Sequence, residues 1–418
     1  MHLLSNSELS GRTRVLQRSG GDRSSSIIDM GNGVRVSCGL MLLWMVAALA
    51  AGRPTHVDAW RIRRRVPAPV LRFGKDGSFK IVQVADMHYG NGGNTTCQDV
   101  LPEQFDGCSD LNTTAFLKRV IADEKPDLLV FSGDNIMQKD CVDPVASMEM
   151  AFAPAVEAGI PWAAILGNHD QEGNLSREGV MSYITSMDYT VARVNPSGDS
   201  CGFAIDGFGN YVLEIFGAEG SPQEGKSVMN LYLVDSGDYA PIPRIGGYGW
   251  IHETQSTWIK SVAKKLQMAY MNEAPAQPQV APALAYFHIP VPEFSNLAPS
   301  EFRGVKQEGI SSASINSGFL TTLLEGGDVK AAFVGHDHVN DFCGDVHGIK
   351  LCYAGGFGYH AYGKAGWDRR TRVVTATLGK DKNGDLQGVR SVVTWKRLDN
   401  EGFDTIDFES VWRNVDNP

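Results

Sequence analysis

The tetrapeptide Gly-His-Asp-His at residues 335–338 directly follows the apolar run Ala331–Val334. A short apolar run of this kind is typical of a buried strand in an α/β protein. One histidine after a strand has many explanations. Two imidazoles with a glycine before them and an acid between them indicate that both bind the same ion or molecule. That ligand would need further side chains from other parts of the chain, and these should follow other strands of the same fold.

Four more apolar runs of the sequence end in short polar motifs of the same type. The motifs are Asp-Met-His at 86–88, Gly-Asp-Asn at 133–135, Gly-Asn-His-Asp at 167–170 and the single His288. Side chains just past the carboxyl ends of neighbouring strands converge in one crevice, where α/β sheets bind their ligands. We therefore predict that the five loops form one site.

Seven side chains in these loops are candidate metal ligands, and they combine carboxylates, imidazoles and one amide. They are Asp86, His88, Asp134, Asn168, His288, His336 and His338. This combination suits zinc, iron or manganese. Seven ligands are too many for one ion and are right for two ions that share a bridging carboxylate. Each loop alone has a simpler interpretation, such as a helix cap at Asp134, but five successive loops favour the metal site.

The rest of the chain predicts a single α/β domain over residues 77–413, because apolar runs alternate there with segments of helical spacing. Residues 51–76 are predicted to be a lead-in segment, which includes the basic run Arg61–Arg65. Residues 1–50 are predicted to be a signal peptide with an N-terminal extension. The formal net charge of −10 argues against nucleic acid or an anionic membrane as the main partner.

The apolar run Leu40–Ala51 indicates secretion, because it is shorter than the ~20 residues of a membrane span. It suits the core of a signal peptide with cleavage near Ala48–Ala50. An uncleaved anchor is the alternative, and Met30 is a second candidate start. We expect a secreted or extracellular protein, with the vacuole and the cell wall as alternatives.

The cysteines and the glycosylation triplets agree with secretion. The short loops favour the pairs Cys97–Cys108 and Cys343–Cys352, which leaves Cys141 to pair with Cys201. Asn-X-Ser/Thr triplets predict glycosylated surface loops. Their asparagines are Asn94, Asn112 and Asn174.

The five motifs together resemble the pattern of the calcineurin-like metallophosphoesterases. Further segments are similar to the small, single-domain plant purple acid phosphatases, and the resemblance covers roughly residues 73–413. These segments read VDSGDY at 234–239, GYGWI at 247–251, GGFGYHAYGKAGW at 355–367 and WKRLD at 395–399. The resemblance implies a four-layer α/β-β/α sandwich, with two divalent or mixed-valence ions of iron, zinc or manganese between two mixed sheets.

The resemblance also implies a role for each site residue. One ion would be held by Asp86, His88, Asp134 and His338, and the other by Asp134, Asn168, His288 and His336. Asn168, His169 and His288 would bind substrate, and His169 would act as the acid that meets the leaving group. Tyr359 and His360 are further candidates for substrate contact, and the loops Pro292–Gly309 and Gly355–Lys364 are candidates for the rim of the pocket.

The activity that the resemblance implies is metal-dependent hydrolysis of small phosphate monoesters by a metal-activated water. A phosphodiesterase of the same fold and a catalytically silent metal-binding glycoprotein are the alternatives, and the resemblance allows a homodimer. The chain departs from the purple enzymes at Met137, where they carry the tyrosine that ligates ferric iron. Members of this small group are often named inactive for that reason, but His88 supplies a substitute ligand. The departure puts a ferric centre in doubt more than hydrolysis.

Overall fold

The computed structural model describes residues 65–198 and 202–414. The predicted signal peptide, the predicted lead-in up to residue 64 and Cys201 therefore lie outside the described residues. Within the described ranges, no helix combines the length and the apolar character needed to cross a membrane.

The first of two mixed sheets has six strands, numbered here in chain order. They are β1 (Ser78–Val84), β2 (Leu128–Ser132), β3 (Trp162–Ile165), β11 (Arg370–Lys380), β12 (Leu386–Leu398) and β13 (Thr405–Arg413). Their order across the sheet is β13-β12-β11-β1-β2-β3. Strands β1, β2 and β3 are parallel, whereas β11, β12 and β13 form an antiparallel meander that pairs with β1.

The second sheet has seven strands in the order β4-β5-β6-β8-β10-β9-β7. They are β4 (Tyr211–Phe216), β5 (Ser227–Leu233), β6 (Ala283–Tyr286), β7 (Phe302–Arg303), β8 (Val329–Val334), β9 (Cys343–Val346) and β10 (Ile349–Tyr353). Four adjacent strands of this sheet run parallel to one another, namely β5, β6, β8 and β10. Each sheet thus contains a set of adjacent parallel strands, β1 to β3 in the first sheet and β5, β6, β8 and β10 in the second, whose carboxyl ends lie on one side of that sheet.

Helices connect these strands, and several begin at side-chain caps. They are α1 (Pro102–Phe105), α2 (Asp110–Glu124), α3 (Pro144–Ala158), α4 (Arg177–Ile184), α5 (Glu253–Asn272) and α6 (Phe319–Gly326). Ser109 caps α2 and Asp143 caps α3 by accepting hydrogen bonds from backbone amides of the first turn, which satisfies donors that a helix start leaves free. Short 3₁₀ turns occupy Gly92–Asn94, Gln138–Asp140 and Pro292–Asn296.

Alternate residues of the central strands face opposite layers, as the pleat of a strand requires. In β6 and β8, Leu284 and Phe333 belong to the large core shared with the first sheet. Their neighbours Ala285 and Val334 belong to a second core, together with side chains of α5 and α6. The predicted α/β class with two mixed sheets is therefore confirmed.

The predicted lead-in segment 51–76 packs on the domain in its described part. Leu71 and Phe73 are buried in the large core, and Arg72 makes an isolated parallel bridge with Phe216, the last residue of β4. The domain therefore includes contacts made by residues before position 77.

Two disulfides join the predicted local pairs, Cys97–Cys108 and Cys343–Cys352. Cys141 forms no disulfide with a described residue, and its predicted partner Cys201 lies outside the described ranges. Two of the three triplet asparagines, Asn94 and Asn174, are exposed in connecting segments. The expectation of a loop is wrong for Asn112, which lies in α2 and accepts a hydrogen bond from the amide of Ser109.

Candidate metal centre

Four of the predicted ligands adopt the left-handed backbone conformation immediately after their strands. The φ angles are 57° at Asp86, 46° at His88, 50° at Asp134 and 79° at His336. Positive φ is uncommon for residues other than glycine. When it persists at several positions of one site, the surrounding structure must be holding those side chains in place, as is common at functional sites.

Two buried groups of side chains are each able to hold a metal ion. One contains Asp86, His88, Asp134 and His338, and the other contains Asp134, His288 and His336. The candidate ligand atoms within each group lie within 4.8 Å of one another. Asp134 belongs to both groups, so the structure brings together the six acidic and imidazole ligands in the arrangement that the resemblance implies.

Short distances between groups of this kind indicate a site built for cations. The Nε2 atoms of His88 and His338 lie 3.1 Å apart, and Nε2 of His288 lies 3.1 Å from Oδ2 of Asp134. The seventh predicted ligand, Asn168, has a buried Oδ1 atom without a hydrogen-bond partner, as has Nε2 of His336. Because a buried polar atom without a partner is costly, these atoms fit a pair of metal ions.

Backbone carbonyls set the tautomers of two histidines. Nδ1 of His288 donates a hydrogen bond to the oxygen of Ser132 (2.9 Å). Nδ1 of His338 donates to the oxygen of Tyr362 (2.9 Å). A carbonyl can only accept, so in both rings the proton sits on Nδ1 when the ring is neutral. The lone pair of Nε2 then faces the ligand group, which is the usual outer support of a metal-binding histidine.

The local field of the site favours positive charge. Burial alone would raise the pKa of Asp134, but His288 and His88 outweigh burial and hold that pKa well below its usual range. Burial would lower the pKa of His288, yet Asp134 and Asp86 raise it to about 9. Burial is the main reason why the pKa of His88 and that of His336 fall well below the ordinary value. The neutral imidazoles of His88 and His336 beside the ionised carboxylate of Asp134 are good donors for cations, and a metal ion would displace the proton that Asp134 and Asp86 favour on His288.

Two glycines allow the strand ends to approach one another. A Cβ atom on Gly167 would lie 2.1 Å from Oδ1 of Asp134. Gly133 has a φ of 98°, and a Cβ there would lie 2.5 Å from Nδ1 of His288. Any larger residue at position 133 or 167 would therefore displace a candidate ligand.

His169 lies beside the two ligand groups and belongs to neither. Its amide donates to Oδ1 of Asp134 (2.8 Å), and its ring centroid is 5.0 Å from that of His88. Its Nδ1 donates to Oε2 of Glu172 (2.6 Å). The other oxygen of Glu172 accepts from the hydroxyl of Tyr239 (2.5 Å). These contacts hold the ring at the mouth of the site.

Asp170, the residue that follows His169, connects two loops of the site by hydrogen bonds. Asp170 is fully buried, and its carboxylate accepts hydrogen bonds from the amides of Asn135, Ile136 and Gly167. Burial and the nearby charge of Asp134 raise its pKa to about 6. The carboxylate thus ties the loop after β2 to the loop after β3.

Sequence reasoning missed several side chains that surround the ligands. The ring of Tyr362 stacks on His338, and the ring of Tyr248 meets His336 edge to face. Both tyrosines lie in segments that were noted for their similarity to plant phosphatases, but no periodicity marks them. Glu172 was readable in principle, because it stands three residues after His169.

Tyr359 and His360 bond to other parts of the structure. The hydroxyl of Tyr359 donates to Asp399 (2.7 Å). The ring of His360 lies between the oxygen of Thr96 (2.9 Å) and Oδ2 of Asp140 (3.1 Å). The residue of this segment whose ring contacts a candidate ligand is therefore Tyr362.

A family model described as calcineurin-like phosphoesterase matches residues 79–340. A relative from Arabidopsis thaliana, named "Probable inactive purple acid phosphatase 29", is 54% identical over 348 residues, which cover 83% of this chain and 89% of the relative. "Probable inactive purple acid phosphatase 14" from the same plant is 52% identical over 360 residues, covering 85% of this chain and 88% of that protein. "Phosphatase DCR2" from Saccharomyces cerevisiae is 32% identical over 350 residues, covering 80% of this chain and 56% of that protein.

Proposed function

This chain belongs to the calcineurin-like phosphoesterase family, and from that membership we propose that it is a metal-dependent hydrolase of phosphate monoesters. The observation that carries the proposal is the pair of buried ligand groups that share Asp134. The unpartnered Oδ1 atom of Asn168 supports it. The name of the yeast relative, a phosphatase, agrees with the proposed reaction.

The ligands suit zinc, manganese or ferrous iron, because oxygen and imidazole nitrogen are the donors that these ions share. Two bound ions would neutralise charge on the phosphate oxygens. They would also lower the pKa of a bound water molecule, so that it can lose a proton near neutral pH. The chain itself supplies the fixed geometry. Asp134 is held by the His169 amide, and His288 and His338 are oriented by backbone oxygens.

His169 is the group that handles the leaving oxygen in this proposal. The carboxylate of Glu172 accepts a hydrogen bond from Nδ1–H of His169, so Nε2 on the other side of the ring points away from that carboxylate. When the ring is protonated, Nε2 can donate its proton to the leaving alkoxide as the bond to phosphorus breaks. Glu172 then stabilises the charged ring until the proton is transferred.

The proposal is tested with purified protein whose metal content has been measured. We expect turnover of p-nitrophenyl phosphate that depends on added divalent metal, and slower turnover of bis-p-nitrophenyl phosphate. Asp134→Asn should abolish both the turnover and the binding of two ions, whereas the matched control Asp106→Asn, at an exposed residue, should change neither. Absence of turnover on both substrates with two ions bound per chain would reject the hydrolase.

A silent metal-binding glycoprotein is the second candidate, and the names of the Arabidopsis relatives favour it. In that case the ions would serve only as clamps between the loops. The same experiment separates the two candidates, since a silent protein would gain thermal stability from the metal without any turnover.

We also propose that the protein is secreted and glycosylated. The apolar run Leu40–Ala51, the two disulfides and the exposed positions of Asn94 and Asn174 support this. Protein recovered from the medium of expressing cells should begin near residue 51 and should lose mass on treatment with an endoglycosidase. Full-length protein retained inside the cells without glycan would contradict it.

A further inference from the structure

Aromatic rings flank two of the candidate metal ligands. The ring of Tyr362 stacks on the imidazole of His338, with 3.8 Å between centroids and 18° between planes. The ring of Tyr248 meets His336 edge to face, with centroids 4.3 Å apart. Tyr362 is 40% exposed. Because one face of its ring covers His338, the opposite face is available to a bound molecule.

A third tyrosine extends this aromatic rim. Tyr239 stacks on Tyr248, with 5.9 Å between centroids and 22° between planes. The two residues form an antiparallel bridge, and backbone hydrogen bonds next to it join Ala240 to Gly247 and Gly249 to Asp238. The pair is therefore held in place before any substrate arrives, which reduces the entropy that binding would otherwise cost.

The same tyrosines hold two carboxylates at the rim. The hydroxyl of Tyr239 donates to Glu172 (2.5 Å), and the hydroxyl of Tyr362 donates to Glu308 (2.9 Å). The second oxygen of Glu308 accepts a hydrogen bond from the backbone amide of Val339 (2.7 Å). Val339 directly follows the candidate ligand His338. Both acids are thus part of the rim, and neither is a ligand of the candidate metal ions.

Glu172 is paired with His169 and Lys139, whereas Glu308 forms no ion pair within the described residues. Among the ion pairs of the described residues, Lys139 is the lysine or arginine that reaches either acid, with Nζ 3.7 Å from Oε2 of Glu172. Nearby Lys364 donates to the neutral side chain of Gln307. The rim therefore offers flat aromatic surface and negative charge. Aromatic surface attracts another ring, and negative charge repels a second phosphate.

We propose that the site selects phosphate esters whose alcohol part is an uncharged aromatic ring, and that it discriminates against molecules with additional phosphates. The ring would lie against Tyr362 or Tyr248 while its phosphate occupies the position between the two ligand groups. This inference rests on the proposed phosphoesterase function, and it names the substrate class of the same site.

Binding of non-hydrolysable phosphonates tests the aromatic part. Calorimetry on metal-loaded protein should show phenylphosphonate binding about 3- to 10-fold more tightly than methylphosphonate, the effect of one ring contact. Removal of the contacting ring, by Tyr362→Ala or by Tyr248→Ala, should reduce this ratio, whereas Tyr362→Phe, which keeps the ring, should preserve it. An unchanged ratio in both alanine variants would contradict the proposed contact. Metal content is measured for every variant, and the wild-type ratio alone decides the matter if a variant loses its ions. Equal affinities of the wild type for the two phosphonates would overturn the aromatic selectivity.

A second phosphonate on the same ring tests the charge part. At low salt, 1,4-phenylene-bisphosphonate should bind at least about 3-fold more weakly than phenylphosphonate, because its second anion faces the rim acids. Glu308→Gln should narrow that gap, and the matched control Glu103→Gln, at an exposed residue of α1, should leave it unchanged. Equal or tighter binding of the bisphosphonate by the wild type would overturn the charge discrimination.

The outcomes also separate this inference from the function on which it rests. Turnover of p-nitrophenyl phosphate together with equal binding of phenyl- and methylphosphonate would remove only the selectivity. Protein that carries two ions per chain, binds neither phosphonate and turns over no ester would reject the phosphoesterase function and the selectivity together.

Discussion

Nδ1 of His169 lies 2.6 Å from Oε2 of Glu172, three residues further along the chain. This contact connects the loop that carries the candidate ligand Asn168 to the rim of the site, because Glu172 also accepts from Tyr239. The contact places a proton on Nδ1 of the His169 ring, whose side chain is 22% exposed. Glu172 is therefore a positioning residue for His169.

Glu172→Gln is expected to lower turnover of alkyl phosphates by about 10-fold, with a smaller loss on p-nitrophenyl phosphate. The amide can still contact the ring but no longer stabilises its positive charge, and a general acid contributes ~10²–10⁴-fold in all. On the alkaline side of the pH profile, kcat/KM of the variant should fall at a lower pH than kcat/KM of the wild type. Glu178→Gln, at an exposed residue of α4, is the matched control, and an unchanged profile would show that Glu172 has only a structural role.

His169→Ala is expected to lose turnover on substrates with poor leaving groups by ~10²–10⁴-fold while it keeps both metal ions. The residue is outside both ligand groups, so its removal should not affect metal binding. The loss should be smaller for nitrophenyl esters, because nitrophenolate leaves without a proton. Equal losses on alkyl and nitrophenyl esters, or a fall in metal content, would contradict this role.

Gly167→Ala is expected to impair metal binding. The new Cβ atom would lie 2.1 Å from Oδ1 of Asp134, so the shared carboxylate must move. Metal analysis after dialysis should show fewer than two ions per chain. Gly225→Ala, where a Cβ has no neighbour within 4 Å, should bind metal as the wild type does. Full metal content in the Gly167 variant would show that the loop can shift without cost.

Met137 leads us to expect a colourless protein. The purple colour of related phosphatases requires a tyrosine phenolate on ferric iron, and here that position holds a buried methionine. A thioether is a poor ligand for Fe³⁺, and the hydroxyls of Tyr239 and Tyr362 are already bonded to carboxylates. Protein purified without chelator should show no strong visible band, and its activity should follow added divalent metal. Such a band would show that another tyrosine binds iron.

Asp341 should contribute to stability at neutral pH. Its buried carboxylate pairs with Lys396 (2.8 Å) and Arg370 (2.7 Å). Asp341→Asn removes the countercharge of Arg370 and one of the two carboxylates that pair with Lys396, which also contacts Asp407, so we expect the free energy of unfolding to fall by about 3–5 kcal/mol. Urea denaturation measures this, with Asp106→Asn as the exposed control.

The pH dependence of that loss has a definite sign. Burial alone would raise the pKa of Asp341, but Lys396 and Arg370 outweigh it and lower the pKa below the ordinary value. A lowered folded pKa means that the stabilisation is fully present above the unfolded value of about 3.9 and is lost as the pH falls through the folded value. The difference between wild type and variant should therefore shrink below about pH 4, and a constant difference across this range would contradict the assignment.

The sequence by itself was sufficient to identify the candidate ligands. Each follows an apolar run that forms a strand, and parallel strands of one sheet present their carboxyl ends at one edge. Asp86, Asp134 and Asn168 could therefore be placed together, because they follow β1, β2 and β3 of one sheet. His336 follows β8 of the second sheet, and the packing of the two sheets brings it to them. The two local disulfides were readable for the same reason, since short loops limit the choice of partner.

Other features depended on the tertiary structure. Strand β1 pairs with β11, which lies far along the chain, and the residue pattern of neither strand marks that partner. Tyr359 and His360 stood out in the sequence, yet their side chains bond to Asp399 and Asp140. Tyr362 instead stacks on His338. The order of the strands and the contacts of the loops decide which side chains of a glycine-rich segment reach the site, and these long-range contacts leave no period in the sequence.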